Sequence, residues 1–136
     1  MNIEYVNILP IQTCPSTNQL TTAATINGCE RVPENDEKAL LKAVSQQPVS
    51  VAIDGSGLAF MHYKSGIFGG ENCLTDRNHA VTIVGFGTSE EGTKYWLLKN
   101  SWGESWGENG FVRIMRDVEA PQGMCGLAQL AYYPLA

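Results

Sequence analysis

Two side chains separated by a hairpin's length carry the most readily assigned chemistry, His79 and Asn100. An imidazole with a pKa of about 6.5 takes or gives a proton at ordinary pH. A carboxamide oxygen accepting from one ring nitrogen fixes the tautomer and aims the other nitrogen, which is the base-and-orienter half of a nucleophilic triad. Residues 79–87 (HAVTIVGFG) are apolar and β-branched, and residues 93–100 (TKYWLLKN) are aromatic and aliphatic. The polar residues between them end in Gly92, suited to a positive φ, so the simplest reading is a hairpin. With its turn centred between Ser89 and Glu90, His79 and Asn100 stand directly opposite on one face, Cβ atoms roughly 4.5–5.5 Å apart. For an arbitrary pair of this kind, the ordinary reading is a satisfied strand-end histidine beside a turn residue.

The flanking residues alter that balance. Asn78, His79, Ala80 and Val81 open the first strand. Lys99, Asn100, Ser101, Trp102 and Gly103 close the second, and Trp106, Gly107, Glu108, Asn109 and Gly110 follow. With the run Pro48, Val49, Ser50, Val51, Ala52 and the tail Cys125, Gly126, Leu127, this chain resembles the papain family of cysteine peptidases over most of residues 30–136. The resemblance implies that His79 is the catalytic base, Asn100 its orienter, and Trp102 the indole shielding their bond from water. It implies substrate-binding roles for Ala52, Asn78, Ala80, Trp106 and Leu130, with Ala52, Ala80 and Leu130 shaping an apolar pocket. It also implies a Cys73–Cys125 disulfide, no cofactor, and peptide or protein substrates and protein inhibitors as partners. The family's usual destinations are the lysosome, the vacuole or the cell exterior.

One element of the family pattern is missing from these residues. The nucleophilic cysteine belongs to a glutamine-containing Q-x-x-x-x-x-C-x-x-C-W type segment, roughly 130–150 residues before the histidine. No such segment occurs here, and His79 is the 79th residue. The expectation is therefore a C-terminal half whose partner is the thiol-bearing N-terminal lobe. Alone it is expected to hydrolyse peptides negligibly, and to expose a large apolar inner face that compromises folding. The alternatives are an inactive truncated homologue, a peptide- or inhibitor-binding pseudoenzyme, and a purely structural β domain.

The elements that must position the pair can be read in order. Residues 1–28 are expected to be irregular and truncated, with residues 29–136 forming the β-rich lobe. Residues 22–32 alternate as a strand would, with Asn27 and Gly28 at a turn or bulge. Residues 34–47 are the one clear helix, preceded by Pro33, capped by Asn35, with Asp36 and Glu37 at the positive end of its dipole and Pro48 ending it. Leu40, Leu41 and Val44 form its buried stripe. Residues 48–53 read as a strand burying Val49, Val51 and Ile53, and residues 56–63 as a short helical turn carrying a surface histidine, His62. Residues 64–70 form a glycine-flanked β segment without the helix and G-K-[ST] ending of a phosphate loop. Residues 110–116 and 130–135 supply the remaining strands. The predicted fold is α+β, mainly antiparallel β, like the β-barrel-like right-hand lobe of a papain-like fold.

Composition narrows the function further. The 136 residues are 43% hydrophobic and 17% charged, the balance of a globular chain. A net charge of −5 argues against nucleic acid or an anionic membrane as partner. No apolar run approaches the roughly 20 residues of a membrane span. The N-terminus shows neither the basic nor the long apolar region of a signal peptide. Four cysteines allow three complete pairings by sequence alone. Neither Cys14 nor Cys29 precedes a capped apolar helix that would depress its pKa, so neither is expected to replace the nucleophile. No C-x-x-C or clustered His/Cys set suggests a metal.

Overall fold

The computed structural model describes residues 24–136. The expectations for residues 1–23, Cys14 among them, lie outside the described residues. Helix α1 (Glu37–Val44) begins where Asp36 accepts the Ala39 amide hydrogen at 2.9 Å, so the cap is Asp36. Asn35, the expected cap, instead has a left-handed φ of 58° and donates its N–H to the Ala128 carbonyl. Leu40 and Val44 are buried while Leu41 lies at the edge of the stripe. The helix packs on the sheet beside β4 (His79–Thr88).

The other strands are β1 (Gly28–Arg31), β2 (Val49–Ile53), β3 (Ile67–Phe68), β5 (Lys94–Lys99), β6 (Phe111–Met115) and β7 (Ala131–Leu135). Helix α2 (Leu58–Met61) is the expected short turn after β2. The sheet order is β1-β7-β2-β4-β5-β6-β3, antiparallel except for β3 against β6. It is an open sheet with edges at β1 and β3, so the expected barrel-like element does not close.

The core follows from alternation. β2 buries Val49, Val51 and Ile53 and turns Ser50 and Ala52 the other way. β5 buries Trp96 and Leu98, and β6 buries Val112 and Ile114. A fully buried side chain of this size contributes roughly 1.5–3 kcal/mol, so these three strands are strongly committed to their faces.

The hairpin forms with a different register. Thr82 pairs with Lys99 and Ile83 with Leu98, but Gly85 pairs with Leu97, leaving Val84 as an extra residue in a bulge. The turn residues lie between Thr88 and Lys94, paired with each other, with Gly92 at φ 87° as expected. Inside the turn, Ser89 N–H donates to the Thr93 carbonyl and the Ser89 hydroxyl accepts the Thr93 N–H. Continuing the Thr82–Lys99 register places Asn100 opposite Val81. His79 is therefore its diagonal neighbour on the same face, not its direct partner.

Candidate active site

The diagonal offset decides which nitrogen of the ring is used. Diagonal neighbours stand about 7–8 Å apart, within reach of long side chains. His79, the first residue of β4, spans the gap with its far nitrogen: Nε2 lies 2.8 Å from Asn100 Oδ1. The same oxygen accepts the Ser101 N–H at 2.8 Å. Two donors on one atom assign it as the carbonyl oxygen, so Nε2 carries the hydrogen and a neutral ring keeps its lone pair on Nδ1. Asn100 is 3% exposed, its N–H is tied to the Gly110 carbonyl, and its Nδ2 is buried without a partner among the described residues. The imidazole is thus held in one tautomer and orientation, with Nδ1 able to accept a proton.

Trp102 stacks on this ring, centroids 4.8 Å apart and planes 29° from parallel, while remaining 39% exposed. Beneath it sits Trp106, buried and edge-on at 5.3 Å, its indole N–H donated to the Met61 carbonyl. Trp106 accordingly packs as support for Trp102. Phe60, fully buried on α2, touches His79, Trp102 and Trp106 edge-on or tilted and was not singled out by sequence. Its only signal was an apolar residue in a short helical turn.

The loop carrying both tryptophans is fastened by Glu108. Its carboxylate takes a two-pronged bond from Arg113, Nη2 at 2.6 Å and Nε at 2.9 Å, and accepts the Gly66 N–H at 2.9 Å. The Arg113 guanidinium is the main reason that the Glu108 pKa lies below the usual value. At Gly107, φ is 57° and a Cβ would lie 2.6 Å from the Phe111 carbonyl oxygen, so only glycine fits this bend.

The approach to His79 is ordered by Asp54, at the end of β2 and 1% exposed. Its carboxylate accepts from Ser56 Oγ (2.6 Å), Ser56 N (3.0 Å), Asn78 Nδ2 (2.9 Å) and Leu74 N (2.9 Å). These donors, the Ser56 hydroxyl foremost, outweigh burial and lower its pKa to about 2. The sequence signal was an Asp-Gly-Ser turn, in which an aspartate bonds the backbone two residues on.

Ala52 of β2 pairs with Ala80 of β4, and the Ala52 N–H donates to the Leu130 carbonyl, so these three adjoin along the sheet beside His79. Ala80 is exposed and the other two half-buried. Asn78 is exposed, its carboxamide turned to Asp54 and Gly55. Cys73 and Cys125 form a disulfide joining the loop before His79 to the 3-10 turn Met124–Gly126. His62 is exposed and 17 residues of chain from His79, and Cys29 is exposed on β1. Among the described residues, no group of three or more His, Cys, Asp or Glu side chains is arranged to hold a metal, and no helix is long and apolar enough to cross a membrane.

The model of the papain family of cysteine proteases matches residues 4–135. The senescence-specific cysteine protease SAG12 of Arabidopsis thaliana is 55% identical over 122 residues, and vignain of Vigna mungo is 51% identical over 123. Each alignment covers 90% of this chain but only 35% and 34% of those proteins, so the chain spans about a third of their length. Among solved structures, the bromelain protease of Ananas comosus in complex with the E64 inhibitor superposes with a TM-score of 0.86 at 48% identity, covering 91% of this chain and 56% of that one. The ragweed Amb a 11 cysteine protease in its proform superposes at 0.84 with 40% identity, covering 91% and 33%. With the family model spanning nearly the whole sequence, the chain belongs to the papain family of cysteine proteases.

Proposed function

We propose that this chain supplies the base, the orienting amide and one wall of the substrate cleft to a papain-like cysteine peptidase, its thiol coming from a segment not contained in these 136 residues. The observation that carries the proposal is the 2.8 Å bond from His79 Nε2 to Asn100 Oδ1, which leaves Nδ1 as the basic nitrogen. In this reading Nδ1 takes the proton of the cysteine thiol, and the thiolate attacks the peptide carbonyl. As the C–N bond breaks, the imidazolium returns the proton to the leaving amine, leaving an acyl-thioester. Water then attacks the thioester while His79 takes its proton, and the thiol is regenerated as the C–S bond breaks. Ala52, Ala80 and Leu130 suit an apolar substrate side chain. The bromelain relative is solved in complex with the E64 inhibitor, which supports inhibitor binding as part of this reading.

The test joins this intact chain to a thiol-bearing half from a relative and follows hydrolysis of a fluorogenic peptide. The joined protein is expected to turn over substrate and to lose activity on thiol alkylation. His79→Ala should lower kcat/KM by roughly 10²–10⁴-fold, the usual contribution of a general acid–base. The chain alone should be inert. Full activity in His79→Ala would refute the assignment, and thiol-dependent turnover by the chain alone would refute the need for a second segment.

A further inference from the structure

The structure assigns Asp54 as a positioning residue for His79, acting through the Asn78 carboxamide and the Gly55 backbone. The inference rests on the reading of His79 as the base. It begins from a carboxylate that is almost wholly buried and receives four hydrogen bonds, three from Ser56 and Leu74 and one from Asn78 Nδ2. An ionised carboxylate only accepts, so it draws the NH2 end of Asn78 toward itself and turns Oδ1 the other way. Oδ1 then accepts the Gly55 N–H at 2.9 Å.

Gly55 is the last contact of the relay. A Cβ placed there would stand 2.8 Å from His79 Cβ and 3.0 Å from both Cγ and Cδ2, so its backbone lies directly against the imidazole. The Asn78 N–H is also tied to the Ile53 carbonyl at 3.2 Å, and Asp54 N–H to the Cys125 carbonyl at 2.9 Å. The peptide leading into His79 and the peptide packed on its ring are therefore both referred to one buried anion. Asn100 holds the ring by its far nitrogen; Asp54 holds the seat at its root. Because the hydrogen bonds of the Asp54 carboxylate go to Ser56, Leu74 and Asn78 and not to His79, its effect is on the placement of Nδ1.

The test uses this chain intact, joined to the thiol-bearing half, with kcat and KM measured separately and melting followed in parallel. Asp54→Ala is expected to lower kcat roughly ten-fold with KM within about three-fold, since placement of the base matters more to chemistry than to binding. Asp54→Asn, whose single oxygen can still accept from Ser56 and Asn78, should recover most of that loss. Asn78→Ala should reproduce the defect, and the double variant Asp54→Ala/Asn78→Ala should be no worse than either single one, as expected of one relay. Parental kcat in Asn78→Ala, or losses that multiply in the double variant, would overturn the inference. Should Asp54→Ala not fold, the exposed Asn78 decides alone: a ten-fold loss of kcat at the parental melting temperature supports the relay, and parental kcat overturns it. His79→Ala separates the two readings, because full activity there refutes the base itself whatever Asp54 does.

Discussion

At the scale of single residues, the geometry that holds His79 is a matter of what is absent as much as what is present. Gly55 carries no side chain where the imidazole root needs the space. Gly55→Ala is expected to destabilise the protein by about 1–3 kcal/mol, the cost of overpacking, and to lower peptidase activity of the joined enzyme. Thermal unfolding and kcat measured together check this; an unchanged melting point would show that the ring yields freely. His79 and Asn100 were legible in the sequence because each opens or closes a strand inside a distinctive run of flanking residues. Asp54 stands in no such run. Its partners Leu74 and Asn78 lie 20 and 24 residues away, and no local periodicity reports a hydrogen bond of that range. Asn35 illustrates a smaller miss: Asn and Asp cap helices about equally well, so the choice of Asp36 was made by the backbone, which needed a left-handed residue before the cap.

At the scale of elements, the β4–β5 hairpin was legible in kind and misread in register. Alternation identifies strands, yet a bulged residue such as Val84 leaves no mark in a pattern of continuous apolar residues. The consequence for the site is modest, because the offset keeps His79 and Asn100 on one face. The loops that flank the hairpin depend on ionised carboxylates. Asp54 before β4 and Glu108 after β5 both have pKa values below their ordinary 3.8 and 4.5. Their folded pKa values lie below the unfolded ones, so the stability they contribute is present above about pH 4.5 and is lost as pH falls through each lowered value, about 2 for Asp54. Glu37 runs the other way. Burial raises its pKa above 4.5 despite the Trp96 indole and Asp117 N–H that it accepts, so its contribution fades as pH rises through the shifted value. Unfolding followed by tryptophan fluorescence is expected to show a steep loss of stability below pH 4 that Glu108→Gln makes shallower. An identical acid limb in that variant would remove Glu108 from the account.

At the scale of the whole molecule, the sheet combines two kinds of pairing. β4, β5 and β6 follow one another as neighbours in sequence and space, with helix α1 packed beside β4. They carry His79, Asn100 and the start of the tryptophan loop. β1 and β7, by contrast, join Gly28 to Leu135 and Arg31 to Tyr132, nearly the full length of the described chain. The open edges at β1 and β3 could not be inferred from strand patterns, since a strand's alternation does not say whether the sheet around it closes.

That arrangement has a temporal meaning. Contacts between distant residues can form only after the intervening chain has lost its freedom, whereas hairpins close early. The β4–β6 meander is therefore expected to assemble first and to open last, and the β1–β7 ribbon to zip up late and fray early. Native-state amide exchange on the folded protein should find the slowest amides at Trp96, Leu98 and Val112 and the fastest strand amides at Cys29 and Glu30. Equal protection in the two ribbons would show a single cooperative unit. On the expected outcome, the imidazole and its amide partner already face each other in a partly folded chain, before the two ends of the sequence have met.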